Sequence, residues 1–146
     1  VLQTSSRPRN VWPPSPGDSA NRRAVYIHVK RSIKLPLLAN FDSPERDFSC
    51  PSRFATTVPT QALTMLNSER MNELSEKFAA RLSGSLDEKI REAFQLGTSR
   101  EVTDGEFHEI KELAADLKAK HGVPDDQLMS RICLLVLNLN ETLYLD

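Results

Sequence analysis

Glycine-rich loops, paired cysteines, clustered histidines and long apolar runs are all missing from this chain. Its 5 glycines stand singly, so no run of backbone amides is available to cradle a phosphate. No apolar stretch approaches the about twenty residues that a membrane-spanning helix requires. The 3 histidines, His28, His108 and His121, are never spaced to bring two imidazoles onto one ion from one helix face. The two cysteines, Cys50 and Cys133, form neither a Cys-x-x-Cys redox pair nor a Cys-x-x-Cys-His haem attachment. A bridge between them would need Cα atoms within about 7 Å. The reading favoured by their surroundings is two separate thiols, with Cys133 in a helical apolar stripe and Cys50 in a loop.

Charge of one sign is also lacking. With 19 basic and 20 acidic residues the net charge is −1, which argues against a nucleic-acid partner. No serine or histidine stands in a nucleophile-elbow context. These absences lean away from an enzyme and predict no cofactor or metal held by this chain.

What the sequence does contain is helical patterning. Its 146 residues suffice for one domain with a single core. Residues 1–21, with Pro8, Pro13, Pro14 and Pro16, predict an extended or disordered arm in which Trp12 is the one large apolar anchor. Residues 22–146 are then the helical domain. In residues 22–33, Val25, Ile27 and Val29 alternate as on a strand, while Val25, Val29 and Ile33 recur as on a helix. No second strand candidate exists to pair with, so helix is the favoured reading. Residues 35–59 carry four prolines and predict a long irregular loop, with turn chemistry at Phe41-Asp42-Ser43-Pro44.

From Pro59 onward helix starts and stops are well marked. Pro59 suits a first helical turn after Thr57 or Val58, and Asn67-Ser68 predicts a break, with Ser68 capping a helix that ends near Leu82. Ser85 with Glu88, and Thr103 with Glu106, fit the capping-box pattern. Leu86, Ile90, Ala93 and Phe94 make one predicted core face; Phe107, Ile110, Leu113, Ala114 and Leu117 make another. Gly122 suits a left-handed helix stop, and Pro124-Asp125 opens a last helix facing inward with Leu128, Ile132, Leu135, Val136 and Leu139. The fold expected is all-α: an irregular bundle of five to six helices with a long Pro-containing loop and an extended N-terminal arm.

Among charged residues, Glu73 with Lys77 is a favourable i, i+4 pair, and Glu88 with Glu92 an unfavourable one. The densest basic cluster is Arg22, Arg23, Lys30, Arg31 and Lys34. It reads either as a solvated stripe near Asp42, Glu45 and Asp47, or as a face for an anionic ligand, since guanidinium forks match carboxylate, sulfate and phosphate.

Several strings taken together resemble a known family. They are Arg22-Arg23-Ala24-Val25-Tyr26 with Lys30-Arg31-Ser32, then Phe41-Asp42-Ser43-Pro44, Cys50 and Thr56-Thr57-Val58-Pro59-Thr60-Gln61-Ala62-Leu63 with Leu66-Asn67. The chain closes on Leu137-Asn138-Leu139-Asn140-Glu141, Tyr144 and Asp146. This set, running over residues 22–146, resembles the C-terminal domain of unknown function (DUF1553) of planctomycete surface proteins that carry cytochrome-c-like domains. Val102 stands where the family has proline, and Thr142 where it favours phenylalanine.

The resemblance implies an extracytoplasmic protein, periplasmic or on the cell surface, with any haem in a separate domain and this chain the C-terminal part of a larger unit. It carries over Arg23, Tyr26, Lys30, Arg31, Asp42, Cys50, Thr57, Gln61 and Asn67 as a candidate polar site or loop scaffold. The function expected first is a non-catalytic packing or docking module whose partners are the other domains of its parent protein. The alternatives are a ligand-binding or hydrolytic domain for anionic polysaccharide, with Asp42 or Glu45 as acid or base, and a docking face for a cytochrome-like electron-transfer partner.

Overall fold

A computed structural model of the chain describes residues 22–27, 34–44, 47–52 and 56–144. The described residues form seven α-helices and one 3-10 turn, with no strand among them: the all-α expectation holds. The helices are α1 (Pro36–Asn40), α2 (Pro59–Leu66), α3 (Glu69–Ala79), α4 (Leu86–Thr98), α5 (Asp104–His121), α6 (Asp125–Leu137) and α7 (Asn140–Leu143). The expected arm at 1–21 and most of the ambiguous stretch, including His28, Lys30, Arg31 and Ile33, lie outside the described residues, as does Glu45. Of that stretch the structure gives a single 3-10 turn at Ala24–Tyr26.

The local signals act where the sequence places them. Ser85 Oγ accepts the Glu88 N–H while the Glu88 carboxylate accepts the Ser85 N–H at 2.7 Å, closing the box at the start of α4. Thr103 and Glu106 do the same for α5, the Thr103 N–H donating at 2.9 Å. Gly122 stops α5 at φ 61°, a left-handed conformation open to a residue without Cβ. Pro59 is the first residue of α2, where its missing N–H would have had no helical partner.

Four details differ from expectation. The loop after Leu35 contains a helical turn, α1, because Pro36 at its first position starts the turn rather than breaking it. Helix α3 stops at Ala79, and the chain reaches Leu82 through tighter i, i+3 bonds, Arg81 N–H to Phe78 and Leu82 N–H to Ala79. An additional short helix, α7, follows Leu139. Among the charges, Glu73 pairs with Arg70 at 2.9 Å, three residues back, where Lys77 was expected.

Helix α6 is the centre. It packs against α3, α4, α5 and α7, and buries Leu128, Met129, Ile132, Cys133, Leu134 and Val136. Around it close Ile90, Ala93 and Phe94 of α4 and Ile110 and Ala114 of α5. Leu113 of the predicted α5 stripe is instead 39% exposed, since α5 offers α6 a narrow face centred on Ile110 and Ala114. Helices α4 and α6 come close at Gly97, where a Cβ would stand 2.5 Å from Val136 Cγ1. No residue of α1 or α2 belongs to this core.

Both cysteines are free, Cys133 in the core and Cys50 exposed. Burial pushes the Cys133 thiol up to about 12, so it stays protonated and unreactive at neutral pH. Titration of the native protein with a chromogenic disulfide at pH 8 is therefore expected to report one fast thiol, that of Cys50. The second should react only when denaturant is added; two fast thiols in the native state would contradict the packing around Cys133.

Candidate functional site

Two of the polar residues singled out by sequence, Gln61 and Asp42, form a hydrogen-bonded cluster at α2. The single buried residue of α2 is Gln61, 1% exposed. Its amide Nε2 donates to the carbonyl oxygens of Asn40 at 2.8 Å and Thr56 at 2.9 Å. Its Oε1 accepts the Tyr144 hydroxyl at 2.7 Å and, at 3.4 Å, the Val58 N–H at the start of its own helix. One side chain thus joins the end of α1, the strand-like lead into α2 and the chain's C-terminal region. Valine at the cap position has no acceptor, so the glutamine supplies the half of a capping box that Val58 cannot reciprocate.

Asp42 works beside it. Its backbone is left-handed at φ 52°, a conformation that Asp tolerates better than most residues. Its carboxylate Oδ2 accepts both the N–H and the hydroxyl of Thr56, at 2.8 and 2.7 Å. Asn40 Nδ2 donates to Thr64 Oγ1 at 2.7 Å, fastening α1 to α2 directly. Three side chains therefore tie Asn40, Asp42 and Thr56 to one another and to α2.

The remaining candidates do not converge on this cluster. Thr57 is exposed beside it, and Asn67 is the C-cap of α2, its N–H bonded to the carbonyl of Leu63. Cys50 is exposed and its thiol donates to the Ser52 carbonyl. Arg23 is exposed, and the Tyr26 ring is stacked under the neighbouring Arg22 guanidinium at 4.1 Å. Lys30 and Arg31 lie outside the described residues.

Sequence reasoning passed over a second polar centre. Arg100, between α4 and α5, forks onto two carboxylates. Its Nη1 and Nη2 reach Glu106 at 2.9 and 2.6 Å, and its Nε and Nη2 reach Glu141 at 2.7 Å each. The Arg100 pair, then the Thr103 cap bonds, hold the Glu106 carboxyl down at about 2. Its stabilising share is thus full above the ordinary carboxylate range and fades as pH falls through that range toward 2. The Arg100 bonds hold Glu141 low as well, and the Ser85 bonds do so for Glu88. A proton donor for catalysis needs the opposite displacement. The available signal was the Asn140-Glu141 string, whose acid had no assigned partner; nothing in the sequence pairs it with Arg100, 41 residues away.

A groove of about 500 Å³ lies between α3 and α6 at the start of α4. Its lining includes Lys89 and Arg131, the acids Glu76, Asp125 and Asp126, and the apolar Ala79 and Met129. Its buried polar group, Ser75, already donates to the Asn72 carbonyl at 2.7 Å. No group of three or more metal-binding side chains occurs among the described residues.

A family model described as a protein of unknown function (PSD1, DUF1553) matches residues 3–114. The chain belongs to that family. The match includes the proline-rich opening and stops within α5, so Gln61 and Asp42 fall inside it while Glu141 and Tyr144 fall outside. No curated protein and no solved structure matches the chain. No helix among the described residues is long and apolar enough to cross a membrane.

Proposed function

We propose that this member of the family is a non-catalytic helical module that docks other domains of an extracytoplasmic parent protein through the outer side of α1 and α2. The supporting observation is the uneven distribution of exposed apolar side chains. Helices α3 to α5 expose one large apolar residue each, Leu74, Leu96 and Leu113, as an ordinary surface does. The short α1–α2 region exposes Leu35, Leu37, Val58, Leu63 and Leu66, with Leu63 56% open to solvent. Leu63 and Leu66 stand three residues apart on α2, the spacing of one helix face. Concentrations of this kind mark interaction surfaces.

A scaffolding role for the family's polar residues fits the same reading. The hydrogen bonds of Gln61 and Asp42 hold α1 and α2 in fixed register, and so present the leucines outward. Haem, on this reading, sits in another domain, and a cytochrome-like or polymer-binding neighbour is reached through the docked parent.

Hydrogen exchange compared between this domain and the protein from its complete gene tests the proposal. Residues 59–66 are expected to gain protection in the longer protein. A Leu63→Glu, Leu66→Glu double variant should lose that gain while the isolated domain keeps its melting temperature. Equal exchange of 59–66 in both contexts would overturn the docking role.

A further inference from the structure

We infer that α1 and α2 form a flap that opens from the α3–α6 bundle independently, and that the C-terminal segment is the strap holding it closed through Tyr144. The inference concerns motion of the fold and stands whether or not the flap docks another domain. Three observations carry it.

The flap is poorly secured by apolar burial. The core draws on α4, α5 and α6 with Leu82 and Val102, and none of its buried residues comes from α1 or α2. Helix α2 places a polar side chain, Gln61, where a packed helix would place leucine. A region with few buried apolar contacts opens at lower free energy than the core.

The flap is nevertheless internally tied. Asn40 to Thr64, Gln61 to Asn40 and Thr56, and Asp42 to Thr56 all run within it, so it moves as a piece. It joins α3 at Asn67-Ser68, where α2 ends and α3 has not begun.

The strap is rooted elsewhere. Helix α7 packs against α4 and α6, Arg100 grips Glu141 through two guanidinium nitrogens, and the Thr142 hydroxyl donates to the Val136 carbonyl at 2.9 Å. The next residue but one, Tyr144, extends from this anchored turn and donates its phenol to Gln61 Oε1 at 2.7 Å, across 83 residues of sequence. A hydrogen bond made by a long rigid ring from an anchored base is a clasp: its loss frees the flap and leaves the bundle intact.

Amide hydrogen exchange on Tyr144→Phe tests this, because the variant keeps the ring and deletes only the hydroxyl. One net hydrogen bond lost corresponds to about 2- to 12-fold faster exchange. That acceleration is expected across α2 and α1, with α4 and α6 unchanged. Unchanged exchange in α2 would remove the strap. Equal acceleration in α4 and α6 would show that the flap opens only with the whole bundle, and would remove the inference.

Discussion

Phe94→Ala is expected to destabilise the whole domain by about 3–5 kcal/mol, the range for truncating a buried aromatic ring. Phe94 is 2% exposed on α4, in the core that closes around α6. Its neighbours cannot collapse into the space. Ile90 and Ile132 are fully buried, and Gly97 is already packed tightly against Val136. A dense interior with no slack leaves the cavity open, so the loss includes both ring transfer and cavity formation. For a domain of this size that corresponds to a melting temperature lower by roughly 10–15 °C. Calorimetry should show a single transition moved down as a unit. A fall of only 1–2 °C would mean that the α4–α6 packing is looser than the contacts around Phe94 require.

The second large effect is expected at Gln61. Gln61→Leu keeps the volume and removes every hydrogen bond, leaving the Asn40 and Thr56 carbonyls and the Tyr144 hydroxyl without their partner. Groups half-shielded from water and left unpaired cost about 1–3 kcal/mol each at most, so a net loss of about 2–3 kcal/mol is expected, confined to the flap. Exchange at 36–44 and 56–66 should rise strongly while the α6 amides stay protected. Gln61→Glu separates the geometry from the size. Its carboxylate would face two carbonyl oxygens where the amide now donates, so it should be as damaging as leucine at neutral pH. Protonation restores a donor, so the folded form raises the pKa of that glutamic acid, and flap protection should recover as pH falls below it. Protection that stayed constant across that titration would mean that the Gln61 amide is not donating as described.

Much of the bundle was legible in residue order. The two capping boxes, the Pro59 start and the Gly122 stop each rest on chemistry within three or four residues, and such signals survive any tertiary arrangement; Ser68 takes the cap position of α3, but its side chain makes no capping bond. Errors arose where periodicity had to stand in for contact. Leu113 fits the α5 stripe by spacing, but which positions are covered depends on where α6 lies. The α1 turn was hidden in a segment whose prolines looked like breakers.

The polar cluster was half legible. Sequence resemblance drew attention to Asp42 and Gln61, and Asn40 and Thr56 stood beside them without an assigned role. Spacing could not say whether Gln61 faced a ligand or the backbone, because a glutamine amide serves either purpose with the same atoms. The Arg100 fork was invisible for a related reason: its two carboxylates come from two different helices further along the chain, one 6 and one 41 residues away.

The sequence by itself determined the helical class, the capping-box starts, the Pro59 start and the Gly122 stop, and the family. These follow from local hydrogen-bonding needs and from the residue string itself. The tertiary structure alone decided that α6 is the centre, that α1 and α2 stand outside the core with their leucines exposed, and that Tyr144 closes on Gln61. The physical reason is that burial and long-range hydrogen bonds depend on which surfaces meet in space, and a helix face has no partner until the chain has folded.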